Sequence, residues 1–290
     1  MKKNMGAVMM IALMGLAGGL NAADFGNLAG QSASGLKAAF ADGGIAAPEA
    51  VKGFIGNDPA LTAPARPVEW VAIPGGKFYM GTDEPESWFD DAKPVHEVSV
   101  RTFEMSRAPV TVEQYAECFV KGRCSKPDTG PYCNWDKPGR QSHPMNCVTW
   151  HQAQEYAVFM GARLPSEAEF EYAATGGRNR KYPWGNELPG PELAVWNTNG
   201  TMAVCSKPKG NSAQGLCDMS GNVWQWVQDV YRDSYNGAPS DGSSVEDKGS
   251  RRVIRGGSFF NYFSRYLRAD FRRNERSSER NANLGFRLAK

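Results

Sequence analysis

From Val68 onward the apolar positions follow two periods, and each change of period marks an element. Trp70, Val71 and Ile73, then Phe78 and Met80 beyond Pro74-Gly75-Gly76, predict two strands joined by a turn, and His96 to Phe103 alternates as a further strand. Helical spacing comes next. Thr111 and Gln114 form a capping box ahead of Val112, Tyr115, Ala116 and Phe119, in a helix that should stop near Gly122. Thr149 and Gln152 do the same for Trp150, Ala153, Ala157 and Met160, up to Gly161. Ser166 and Glu169 open a shorter helix through Phe170 and Ala173, closed by Gly176-Gly177. The aromatic residues of these stretches are read as core. Beyond Gly177, turn chemistry dominates at Pro183-Trp184-Gly185, Pro189-Gly190-Pro191, Asn197 to Gly200, Lys207 to Asn211 and Asp233 to Gly249. No internal repeat is found. The prediction is an α+β fold with a large irregular fraction.

The N-terminus has a different texture. Lys2 and Lys3 precede an apolar run from Met5 to Leu20, shorter than the roughly 18 residues read as a membrane span, and Ala22 and Ala23 supply small residues before Asp24. Residues 1–23 are therefore expected to be a cleaved secretory signal peptide and the chain to be periplasmic, with no transmembrane span once the signal is removed. Residues 24–66, rich in Gly, Ala and Pro, are read as an N-terminal extension, and residues 67–290 as the folded domain. The cysteines agree with export. All six, Cys118, Cys124, Cys133, Cys147, Cys205 and Cys217, lie mid-chain, and the even number suits three disulfides in an oxidising compartment. Fifteen connectivities are possible for six cysteines. Proximity favours Cys118 with Cys124, Cys133 with Cys147, and Cys205 with Cys217. The competing zinc reading lacks any CxxC pair.

Composition narrows the chemistry. The 290 residues are 41% hydrophobic and 22% charged, enough for a sizeable core, and 33 Lys plus Arg against 31 Asp plus Glu leave a formal charge of +2. A nucleic-acid partner is not expected from that balance. With only His96, His143 and His151, a three-His metal site would need every histidine in the chain.

A series of ordered blocks then carries a resemblance. They are Gly75-Gly76-Lys77-Phe78-Tyr79-Met80-Gly81, Pro109-Val110-Thr111, His143 to Trp150, Arg163-Leu164-Pro165-Ser166-Glu167-Ala168-Glu169-Phe170-Glu171, Tyr182-Pro183-Trp184-Gly185, Gly215 to Trp226, Arg255-Gly256-Gly257-Ser258 and Leu284-Gly285-Phe286-Arg287. In this order they resemble the formylglycine-generating enzyme (sulfatase-modifying factor) family over Val68 to Lys290. The resemblance implies a C-type-lectin-like variant fold with much irregular structure. It also implies a departure. Oxidase members carry two copper-binding, substrate-oxidising cysteines after the Gly-Gly-Ser block, and those positions fall on Asn261 and Tyr266 here. An amide and a phenol are poor ligands for a soft copper(I) ion, so no copper is expected and no catalytic residue is assigned. Ser258 remains from that neighbourhood, without a positioned base.

Two further features come with the resemblance. The family holds calcium around the segment matching Asp218 to Gln225, so the side chains of Asp218 and Gln225 and the carbonyls of Gly221 and Val223 are the candidate ligands. A second family calcium site is not expected, because Cys205 and Cys217 are placed to staple that loop instead. Between Arg251 and Arg287 ten arginines face only Asp270, Glu275 and Glu279, a local excess of +7. Either they form a basic face for an acidic or phosphate-bearing ligand, or they buttress the fold through main-chain carbonyls and the carboxylates of Glu167, Glu169 and Glu171.

The functional expectation is a non-catalytic periplasmic module that binds a periplasmic or membrane-anchored protein through a groove formed by Ser258, Asn261, Tyr262, Arg265, Tyr266 and Arg268. A further resemblance, to periplasmic accessory factors of the type VI secretion threonine-phosphorylation pathway, implies a role in activating a membrane kinase. Maturation of a siderophore chromophore on the same fold is the enzymatic alternative, and carbohydrate or small-ligand binding a third. On the non-catalytic reading, replacing Ser258 or Asn261 by Ala should leave function nearly intact, whereas charge reversal at Arg265 or Arg268 should weaken partner binding.

Overall fold

The computed structural model describes residues 65–290. The expected signal peptide and most of the expected extension lie outside the described residues. Three helices begin where their capping boxes predict. Helix α1 is Val112–Val120, α2 is Trp150–Phe159 and α3 is Glu167–Thr175. In each, the Thr or Ser hydroxyl accepts from the N3 backbone N–H while the N3 side chain reaches back to the cap, so two otherwise unpaired donors are satisfied locally. Gly176 ends α3 in the left-handed conformation that glycine adopts without a Cβ penalty.

The strands are β1 (Trp70–Ile73), β2 (Gly76–Met80), β3 (His96–Val100), β4 (Phe103–Ser106), β5 (Trp224–Val230), β6 (Arg251–Arg255), β7 (Arg272–Arg276) and β8 (Leu284–Phe286). The turn at Pro74-Gly75 separates β1 from β2, but the two do not pair with each other. β1 runs antiparallel to β4 with Trp70 opposite Ser106, and β2 antiparallel to β3 with Gly76 opposite Val100. The single strand expected over 96–103 breaks at Arg101-Thr102, and the chain continues as β4. A four-stranded sheet in the order β7-β6-β5-β8 holds the C-terminal half; β8 lies parallel to β5 and the other pairs are antiparallel.

All nine residues of α3 are buried, its three glutamates included. Burying a carboxylate is expensive unless it is paired and hydrogen-bonded. Here the C-terminal arginines pair them. Arg272 donates from Nε and Nη2 to Glu167 at 2.8 and 2.7 Å, and from Nη1 to the carbonyls of Asp91 and Arg232 at 2.6 and 2.9 Å. Arg255, fully buried, donates to Glu171 and to the carbonyl of Ala269, with Glu167 3.3 Å away. Burial opposes ionisation of Glu167, yet Arg272 and Arg255 outweigh it and hold its pKa below the usual carboxylate value. Glu169 departs from the expected buttress: its partner is Arg163, in a two-pronged pair at 2.6 Å. Replacing Glu167 by Ala leaves two buried guanidiniums short of charge and is expected to cost about 3–5 kcal/mol in urea unfolding.

Candidate functional site

Gly256 and Gly257, both at positive φ, turn the chain out of β6 into the loop expected to form the groove. A Cβ on Gly257 would stand 2.5 Å from the Tyr266 carbonyl, and one on Gly256 2.7 Å from that of Met219, so the turn closes only with glycine. Ser258 follows, fully buried. Its N–H and hydroxyl both donate to Asn261 Oδ1, at 2.8 and 3.0 Å. The loop is then sewn to its neighbours: Phe259 N–H donates to Asn222, and the carbonyls of Phe259 and Asn261 accept from Thr198 and Asn197. This pinning turns Phe260, Tyr262 and Phe263 outward, where they are exposed.

Tyr266 sits in a 3₁₀ turn, Ser264–Leu267, with its ring edge-on to Phe271 at 5.1 Å and to Trp224 at 6.5 Å. Arg265 lies between rings, its guanidinium carbon 4.2 Å from the Phe263 centroid and 4.7 Å from those of Trp88 and Tyr266. The structure thus brings Ser258, Asn261, Tyr262, Arg265 and Tyr266 into one segment. Within it, Ser258 and Asn261 serve the turn and the other three present rings and charge.

Arg268 is not part of that surface. It is buried, donates to both oxygens of Asp270 at 2.9 and 2.5 Å, and reaches Glu84 at 2.7 Å. With two carboxylates on it, no charge is left for a partner, and reversing it would break the core. It floors a separate open groove of about 630 Å³ lined also by Thr82, Glu84, Lys181 and Asp270. There Lys181 also lies 3.0 Å from Glu84.

The side chains of the two expected calcium ligands, Asp218 and Gln225, are engaged by protein groups. Gln225 Oε1 accepts from Arg287 Nε at 2.6 Å, and Gln225 Nε2 donates to the Asp218 carbonyl at 2.7 Å. Asp218 Oδ2 accepts from the Cys205 N–H at 2.8 Å. Arg287, fully buried, also donates to the Cys217 carbonyl at 2.6 Å, so a guanidinium already occupies the place where positive charge would sit. Burial lowers the Arg287 pKa to about 9 while Asp218 opposes that fall, leaving the group charged at neutral pH. Cys205 and Cys217 are bonded to each other, as are Cys118 with Cys124 and Cys133 with Cys147, and no cysteine is free. Neither zinc nor copper(I) finds a thiolate here.

Sequence reasoning missed Trp88. Trp88 belongs to a 3₁₀ turn, Ser87–Ala92, and joins Arg265 only through the tertiary fold. His143 Nδ1 lies 2.9 Å from Arg140 Nη1 and 2.9 Å from Thr201 Oγ1. A guanidinium can only donate, so Nδ1 must keep its lone pair and the ring stays neutral.

The residues can now be set beside known proteins. The sulfatase-modifying factor enzyme 1-like domain matches residues 58–290. The chain belongs to this family. A formylglycine-generating enzyme of Streptomyces coelicolor is 32% identical over 281 residues, covering 76% of this chain and 88% of that one. Serine/threonine-protein kinase pkn1 of Chlamydia caviae is 33% identical over 243 residues, covering 77% of this chain but only 38% of the kinase. The structure of PvdO from Pseudomonas aeruginosa superposes with a TM-score of 0.67 at 33% identity, over 77% of this chain and 94% of that one. The fold is therefore the family's α+β type with a large irregular fraction, as the ordered motifs implied. No described helix is long and apolar enough to cross a membrane. The three disulfides suit an oxidising compartment.

Two measurements check this site. Asn261→Ala strips the buried Ser258 N–H of its acceptor and should cost about 1–3 kcal/mol in chemical denaturation. Burial, then Arg140, lowers the His143 pKa to about 4 from 6.5. The neutral ring therefore contributes stability that is present above pH 6.5 and lost as pH falls toward 4. In NMR titration the His143 Cε1–H resonance should move near pH 4, with loss of thermal stability over the same interval.

Proposed function

We propose that this chain is a non-catalytic recognition module of its family, acting in the periplasm on a partner protein that is itself periplasmic or membrane-anchored. One observation carries the reading: the positions that the resemblance assigns to the redox pair are spent on structure. Asn261 caps the Ser258 turn, Tyr266 packs between Phe271 and Trp224, and every cysteine is held in a disulfide. Thiol oxidation needs a free thiolate or a metal held by one. What remains is a rigid loop presenting aromatic rings and a cation.

The relatives support a kinase as the partner class. The pkn1 proteins carry a domain of this kind in a chain named as a serine/threonine kinase, and the aligned region is 38% of the Chlamydia caviae protein. A separate chain with the same domain can serve a kinase in trans. Activation of a membrane threonine kinase that controls type VI secretion is the specific role we propose. The likeness to PvdO favours a second reading, an enzyme maturing a siderophore chromophore on this scaffold.

Adding the purified chain to a membrane threonine kinase of this pathway should raise threonine phosphorylation, read by phosphopeptide mass spectrometry. The same metal-replete preparation should turn over neither a thiol peptide nor a reduced chromophore precursor. Turnover of either substrate overturns the non-catalytic reading.

A further inference from the structure

Arg265 differs from Arg268 and Arg272, two other arginines that meet aromatic rings. Arg268 lies 4.5 Å from the Phe89 centroid and Arg272 4.4 Å from that of Tyr235, yet both are neutralised, by Asp270 with Glu84 and by Glu167. Arg265 has no carboxylate among the described residues. Its one hydrogen bond runs from Nη2 to the Tyr266 hydroxyl at 3.3 Å, and its Nε is closed from solvent without an acceptor. Three rings frame the guanidinium but cannot accept its in-plane N–H groups, and Nη1 has no hydrogen-bond partner among the described residues, so one edge of the group is left for a carboxylate. Around it Trp88 and Phe263, with Tyr262 packed on Phe263 at 4.4 Å, are 50%, 44% and 63% exposed. A tight cluster of exposed large rings around an arginine has the composition of a binding hot spot. The loop from Phe259 to Leu267 contains no acid that would repel an incoming anion.

We propose that this cluster is the receptor for an acidic segment of the partner protein. A glutamate or aspartate carboxylate pairs with Arg265, while flanking apolar side chains lie on Tyr262, Phe263 and Trp88. The proposal rests on the recognition reading above and adds the chemistry of what is recognised. The pinned backbone presents the rings in place, so little ordering is lost on binding.

The test is fluorescence anisotropy of the full chain with a labelled peptide that alternates glutamate with leucine and phenylalanine, set beside the same peptide with glutamine at every glutamate. Saturable binding of the acidic peptide is expected, weakened at least tenfold in the glutamine peptide, in Arg265→Gln and by raised salt. Arg265→Lys should recover only part of the affinity, because an ammonium lacks the planar fork. Tyr262→Ser, at an exposed position, should also weaken binding. It decides the matter, together with the glutamine peptide, if Arg265→Gln fails to fold. Equal binding of the two peptides, unchanged affinity in Arg265→Gln, saturable binding of a sugar in place of the acidic peptide, or no binding overturns the proposal. If kinase stimulation persists and is insensitive to Arg265→Gln, the recognition function stands and this receptor falls. Turnover of a thiol peptide removes both.

Discussion

Charge buried under α3 governs this molecule. Glu167 and Glu171 are sealed from water on a wholly buried helix, where the guanidiniums of Arg272 and Arg255, the Tyr235 hydroxyl and the Gly81 N–H are their partners. The same two arginines hold carbonyls of Asp91, Arg232 and Ala269, so helix, sheet and irregular segments close on one set of ion pairs. In a chain with so much irregular backbone, these side chains satisfy carbonyls that helices and sheets would otherwise pair.

A second fully buried arginine site stands apart from the first. Arg287 joins Gln225 and the Cys217 carbonyl beside Asp218, and the Cys205–Cys217 disulfide closes the loop that ends there. Internal cation and covalent staple together restrain a region where family resemblance had implied a metal. A glutamine at position 225 keeps the oxygen acceptor but not the charge, and its amide nitrogen is turned to the Asp218 carbonyl. The loop after Ser258 is treated likewise, with groups that resemblance linked to chemistry now holding backbone in shape. Family membership therefore describes the scaffold, while the side chains at these positions hold it in shape.

Much of the fold was legible where the signal is local. Three capping boxes placed three helix starts, because a hydroxyl and a Gln or Glu side chain three residues on each accept the other's backbone N–H wherever the helix lies. Alternation revealed β2 and β3, which have one buried and one open face. The four-stranded sheet was not legible. Six of the seven residues of β5 are buried, so alternation is absent, and β6 and β7 each contain arginines that read as surface until their partners are known. The loop from Ser258 to Tyr266 was found through the order of motifs, but nothing near Trp88 announced that its ring would meet Arg265.

By itself the sequence determined the helix starts and a scaffold recognisable from its ordered motifs, and it favoured, without deciding, the three short-range disulfide pairs that the fold forms. Each depends on residues close together or on their order along the chain. Only the tertiary structure decided which charges are free. Arg265 and Arg268 stand three positions apart and look alike on paper, yet one faces rings alone and the other two carboxylates. Burial and the nearest opposite charge set the fate of a guanidinium, and both come from segments distant in sequence.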